Sequence, residues 1–178
     1  MNLHLPLMQG LPPPLVTLNN GGFETNEAWT QIPADKIIVE CSLFEGSALG
    51  AGCGGKRIAW LGGTDSATKH SIAQTLALTR YYPVTVRFKY FLITPPTGCE
   101  SDTFEVWLGS TRLNKTSLCG YTSPTWEQGK VMLPAIDGNH ELKFLADLPG
   151  GVRSSVFIDD VSLCTTSTFK HPLMPACK

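Results

Sequence analysis

The sequence predicts an all-β domain, a jelly-roll β-sandwich of about eight to nine antiparallel strands. Three observations carry this. Short apolar runs alternate with polar residues at period two, Gly, Pro, Asn and Ser break them at close intervals, and sustained helical periodicity is missing. The alternation is clearest in Val84–Tyr90, where Val84, Val86, Phe88 and Tyr90 fall on one face and Thr85, Arg87 and Lys89 on the other. Phe104, Val106 and Leu108 oppose Thr103, Glu105 and Trp107 in the same way, and Leu142, Phe144 and Ala146 oppose Glu141, Lys143 and Leu145.

Taken in order, residues 1–14 form an extension. Leu3, Leu5 and Leu7 alternate with Asn2, His4 and Pro6, and Pro12, Pro13 and Pro14 then set a stiff polyproline spacer. The domain proper is expected over residues 15–165. Its predicted strands are Val16–Leu18, Ile37–Cys41, Arg57–Leu61, Ser71–Leu78, Val84–Thr94, Thr103–Ser110, Gly129–Leu133, His140–Ala146 and Ser155–Leu163. Residues 166–178 are expected to be a tail.

Composition narrows the function classes. Fourteen basic and 15 acidic residues leave a net charge of −1, so no electrostatic footprint for nucleic acid exists. No apolar run reaches the 18 or so residues of a spanning helix. Cys41, Cys53, Cys99, Cys119, Cys164 and Cys177 make an even count without a Cys-x-x-Cys pair, which favours disulfides and an oxidising, extracellular setting over zinc. Fifteen pairings exist for six cysteines. The expected one joins neighbours, Cys41–Cys53, Cys99–Cys119 and Cys164–Cys177, each flanking a predicted loop. No secretion signal is visible at the start, so bridged cysteines imply a processed chain or an excised fragment.

The last strand poses the main chemical question. In unbroken alternation Phe157, Asp159, Val161 and Leu163 share one face, which sets a carboxylate in an apolar row. A buried carboxylate needs a cation, an arginine or several backbone amides. Glu24, closing Asn19-Asn20-Gly21-Gly22-Phe23-Glu24, is the expected neighbour, and the pair has the hard oxygen chemistry of a calcium site.

Other motifs fall away. Gly50-Ala51-Gly52-Cys53-Gly54-Gly55-Lys56 has phosphate-loop spacing, but a strand follows where a helix N-terminus is needed. His4, His70, His140 and His171 are scattered, and neither a G-x-S-x-G elbow nor H-E-x-x-H is present, so a non-catalytic chain is expected. Among the aromatics, Trp107 lies opposite the apolar face of its strand, while Tyr81, Tyr82, Tyr121 and Trp126 fall in or near loops. Trp107, Tyr82 and Trp126 are the candidates for stacking on sugar rings. Asn114-Lys115-Thr116 has the form of a glycosylation acceptor.

Asn20-Gly21-Gly22-Phe23-Glu24 with Trp29, then Arg57-Ile58-Ala59-Trp60-Leu61-Gly62-Gly63, then Phe157-Ile158-Asp159-Asp160-Val161-Ser162-Leu163, resemble the galactose-binding-like jelly rolls. These include calcium-containing carbohydrate-binding modules of secreted glycosidases and accessory domains of secreted bacterial metallopeptidases. The resemblance covers roughly residues 16–164. It implies a structural calcium held by Glu24 and Asp159, with carbonyls near Gly55–Arg57. It also implies a secreted module that binds a glycan or polysaccharide. The alternative is a structural subunit of an extracellular filament or adhesive layer, joined through the strand-like extension at residues 1–14.

Overall fold

The computed structural model describes residues 15–34, 36–165 and 174–177. The expected extension and spacer at 1–14, and most of the expected tail, lie outside the described residues. Ten strands are formed among the described ones: β1 Thr30–Ile32, β2 Ile38–Glu40, β3 Arg57–Gly62, β4 Thr68–Leu78, β5 Val84–Ile93, β6 Thr103–Leu108, β7 Thr111–Ser117, β8 Glu127–Leu133, β9 Gly138–Leu148 and β10 Ser155–Thr165. The first sheet has the order β1-β4-β9-β6-β7 and the second β2-β3-β10-β5-β8, with every pairing antiparallel. This is the predicted jelly-roll β-sandwich, with ten strands in place of eight or nine. No described helix is long and apolar enough to cross a membrane.

The inward-facing rows of the two sheets make one core. Phe144 on β9 is fully buried; it stacks on Phe104 at 6.3 Å and meets Phe88 edge-on at 5.0 Å, so the ring ties both sheets together. Phe23 and Trp29 add a second aromatic pair at 5.2 Å on the same core. Each such ring removed from water contributes about 1.5–3 kcal/mol.

A smaller apolar cluster lies on the outer face of the second sheet. Phe157, Phe91 and Ile58 project there and are covered by the segment between β2 and β3, which holds a 3-10 turn, Cys41–Phe44, and a one-turn helix α1, Ala48–Ala51. A disulfide from Cys41 to Cys53 closes this segment; Cys99 is bridged to Cys119, and Cys164 to Cys177. The last bridge sits beside a short parallel pairing of Thr165 with Ala176.

Three local expectations are corrected. Val16–Leu18 is not a strand: the chain there lies beside β4, held where the Asn19 amide donates to Gln74 Oε1 at 2.8 Å. β1 and β7 are strands the alternation did not indicate. The row Phe157, Asp159, Val161, Leu163 is broken. β10 slips register against β5 between Asp159 and Ser162, and Asp160 takes φ of 50°. Val156 and Ile158 face the core before this bulge and Val161 and Leu163 after it, so Phe157 and Asp159 turn to the outer face.

Candidate functional site

Glu24, Asp159 and Trp107, three of the residues that sequence reasoning singled out, fall in two separate regions. The first is the junction of the opening loop with the bulge in β10. Gly21 O accepts the Val161 amide at 2.9 Å, and a Cβ on Gly21 would come within 1.9 Å of Val161 O. Only glycine allows that approach. A Cβ on the next residue, Gly22, would stand 3.9 Å from Glu24 Cγ and 4.0 Å from Asp159 Oδ1, so both acids border one spot. The start and the end of the fold therefore meet at Gly21 and Val161, with Glu24 and Asp159 both bordering Gly22.

The glycine-rich loop closes this spot from the third side. Asp159 Oδ2 accepts the Gly54 amide at 2.9 Å and its Oδ1 accepts the Asp160 amide at 2.7 Å. Glu24 takes the Lys56 amide on both oxygens, at 3.0 and 3.1 Å. A loop with phosphate-binding spacing thus presents its amides to the chain's own carboxylates. Gly55 is packed so closely on Glu24 Oε1 that a Cβ would come within 1.8 Å of it.

The electrostatics of the pair are unequal. Asp159 is fully buried, and burial pushes its carboxyl up to about 6 against the pull of the two amides. Lys89, whose positive charge works weakly against that rise, pairs with Asp160 Oδ2 at 2.6 Å. Among the described residues no three His, Cys, Asp or Glu side chains converge as a metal cluster. A cation here would draw on two carboxylates and on backbone carbonyls.

The second region is the outer face of the first sheet. Glu105, Trp107 and Thr103 project from β6, and Arg112 and Lys115 from β7 on one side. Lys143, Glu141 and Asp147 project from β9 on the other, with Lys69 from β4 behind them. Glu105 is only 4% exposed, yet it is well satisfied. Its Oε2 accepts the Trp107 indole N–H at 2.8 Å, and its Oε1 lies 3.4 Å from Arg112 and 3.5 Å from Lys115. This fixes the indole. Trp107 is half-buried, and a cation from each neighbouring strand stands over its ring, Arg112 at 5.6 Å and Lys143 at 5.9 Å.

The other aromatic candidates are placed differently. Tyr82 is 4% exposed and belongs to the main core, so its ring is closed to a sugar; a loop position gave no sign of this. Trp126 packs on the outer cluster of the second sheet. Its indole N–H donates to Leu49 O at 2.8 Å, and its ring meets Phe91 at 6.0 Å. These two partners, Leu49 and Phe91, line an apolar groove with Leu43, Phe44 and Ile93, and Trp126 itself is not part of that lining. Trp107 and Trp126 therefore lie on opposite outer faces of the sandwich and do not form one site.

A network that the sequence did not reveal sits at the edge between the sheets. Glu127 accepts hydroxyls from Ser123 at 2.6 Å, Tyr121 at 2.8 Å and Tyr90 at 2.9 Å. Burial works to raise the Glu127 carboxyl, but the three hydroxyls outweigh it and hold it below its ordinary value. Tyr90 is pushed up to about 12, first by burial and then by Glu127. This network pins the loop before β8. Asn114, the acceptor of the glycosylation motif, is exposed on the edge strand β7.

No family model matches the chain, and no curated protein matches it. Solved structures do match its fold. TmCBM61 in complex with β-1,4-galactotriose superposes with a TM-score of 0.57 at 16% identity, over 84% of this chain and 97% of that one. The Stig cyclase Fisc from Fischerella sp. TAU gives 0.57 at 18% identity, over 85% and 96%. A cleaved adhesin domain of Lys-gingipain from Porphyromonas gingivalis gives 0.52 at 15% identity, over 86% and 98%. At these identities the likeness is one of fold alone: a carbohydrate-binding module, a cyclase and an adhesin domain share this jelly-roll β-sandwich.

Proposed function

We propose that this chain is a secreted, non-catalytic carbohydrate-binding module whose ligand face is the outer surface of the first sheet around Trp107. The observation that supports this most is the indole itself. Trp107 is oriented by a buried carboxylate and flanked by the charged side chains of Arg112, Lys115 and Lys143, in a fold shared with a galactotriose-binding module. An aromatic ring with fixed polar neighbours suits a sugar, which has apolar C–H faces beside hydroxyls. The three disulfides and the origin of the adhesin neighbour support an extracellular setting.

We also propose calcium as a structural ion at Glu24 and Asp159. The donor chemistry fits: two carboxylates border Gly22, one of them is buried and makes none of the described ion pairs, and each of its oxygens takes one backbone amide. Calcium there would hold Asp159 ionised and lock the opening loop to β10.

The functional reading is tested with a glycan array carrying neutral and acidic plant, bacterial and animal polysaccharides. Wild type is expected to bind at least one glycan class and Trp107→Ala to lose it, with Trp107→Phe intermediate and both variants folded by circular dichroism. Failure of the wild type to bind any glycan overturns the reading. A parallel hydrolase screen with glycoside and ester substrates is expected to show no turnover.

A further inference from the structure

We infer that the ligand of the Trp107 face is an acidic polysaccharide, one whose sugar rings carry carboxylates; this rests on the proposed carbohydrate-binding function. The charge arrangement around the indole carries the inference. Seven charged side chains share this outer face: Lys69, Arg112, Lys115 and Lys143, against Glu105, Glu141 and Asp147. Lys69 is closed on Asp147 at 2.8 Å. The remaining three cations face two carboxylates, and these are unequally placed. Arg112 and Lys115 share a single oxygen of Glu105, whose side chain is 6% exposed, so one buried negative charge serves two cations. Lys143 has only a loose pair with Glu141 at 3.8 Å.

The outcome is a face with one net positive charge around an aromatic ring, with Glu105 sunk beneath the ring and Glu141 half-exposed beside Lys143. Arg112 and Lys115 remain 45% and 49% exposed, and Lys143 30% exposed, so their charged ends meet solvent. Arg112 and Lys143 stand over the Trp107 ring from opposite strands. A neutral sugar stacking on this ring must displace a cation. A uronate can keep both, setting its C–H face near the indole edge and its carboxylate between guanidinium and ammonium. Arg112 suits this because its fork matches a carboxylate in two hydrogen bonds. Glu105 acts as a positioning residue, holding the indole and both β7 cations from below.

The test compares polygalacturonate with its methyl ester, which keeps the backbone and removes the charge, by affinity electrophoresis and calorimetry. Dextran sulfate serves as a second polyanion. Wild type is expected to bind the acid form about 10-fold more tightly than the ester, since each exposed charge contact is worth up to about 1 kcal/mol, or about fivefold. Raising the salt from about 50 mM to about 500 mM should remove most of that preference, because exposed charges are screened. Lys143→Gln and Arg112→Gln should each reduce the preference, and the double variant should abolish it. Lys130→Gln, on the second sheet, should leave it unchanged. Equal binding of acid and ester overturns this inference while leaving glycan binding intact. So does tighter binding of dextran sulfate than of polygalacturonate, which marks a sulfate site or unspecific attraction. Loss on Lys130→Gln as large as on Lys143→Gln overturns it as well. Absence of binding to every glycan overturns the parent reading with it.

Discussion

Asp159 Oδ2 accepts the amide hydrogen of Gly54 at 2.9 Å, a bond that spans 105 positions of sequence. It joins the bulge of the closing strand to the glycine-rich loop, and the loop's next amides hold Glu24 from the opening segment. Three distant stretches are thereby locked at one carboxylate pair, and the stability of the fold should depend on its ionisation state.

The first prediction concerns pH in calcium-free buffer. Burial raises the Asp159 carboxyl from 3.8 to about 6, so between these values the folded state binds more protons than the unfolded state. Stability therefore falls as pH rises through that window. Melting temperatures of wild type and Asp159→Asn, measured from pH 4 to pH 7 in a chelator, should differ by a pH-dependent amount. Wild type should lose ground to the variant as pH rises. A difference that stays flat contradicts the raised carboxyl.

The second prediction concerns the metal. Adding calcium at about 100 times its dissociation constant to chelator-treated protein should stabilise it by about 2.7 kcal/mol, a rise of about 5–10 °C in Tm. Glu24→Gln and Asp159→Asn should each lose most of that rise. Unchanged wild-type melting in calcium removes the ion from the account.

Neighbouring glycines give the third. Gly21→Ala would drive a methyl into Val161 O, at 1.9 Å, whereas Gly22→Ala meets only ordinary contacts at 3.9 and 4.0 Å. The first should cost about 1–3 kcal/mol by overpacking and the second much less, read by urea unfolding. Equal costs would show that the opening loop does not pack on the bulge as described.

The bridges give the fourth. Replacing both members of Cys41–Cys53 or of Cys99–Cys119 by Ser should each cost about 3 kcal/mol in the chain-entropy account. Only the first closes the segment whose following amides, from Gly54 and Lys56, hold the acids. Its loss should also weaken the calcium response, while loss of Cys99–Cys119 should leave that response in place.

Much of this was legible in the sequence, for physical reasons that also mark where legibility stopped. Period-two alternation identified β5, β6 and β9, because over Val84–Tyr90, Thr103–Leu108 and Glu141–Ala146 one row is apolar and the other mostly polar. It gave no sign of β7, Thr111–Ser117, because an edge strand with one side open to water needs only one apolar contact, here Leu113. It misplaced Asp159, because a bulge inverts the alternation and leaves no mark in residue types. Both Glu24 and Asp159 border Gly22, but neither alternation nor motif pointed to the amides of Gly54 and Lys56 that hold them. Backbone donors carry no side-chain signature. The same limit hid the Trp107 cluster: Glu105, Arg112 and Lys143 come from three strands whose order along the chain differs from their order in the sheet.

The four indoles allow one direct measurement of the central claim. The N–H of Trp29 donates to Asn20 O, that of Trp60 to Ser155 Oγ, that of Trp107 to Glu105 and that of Trp126 to Leu49 O, so each should give a distinct resonance. Titrating 15N-labelled protein with an oligosaccharide of the class selected on the array should move the Trp107 signal and leave Trp126 in place. Shifts at Trp126 without Trp107 would put the ligand on the other sheet and contradict the account.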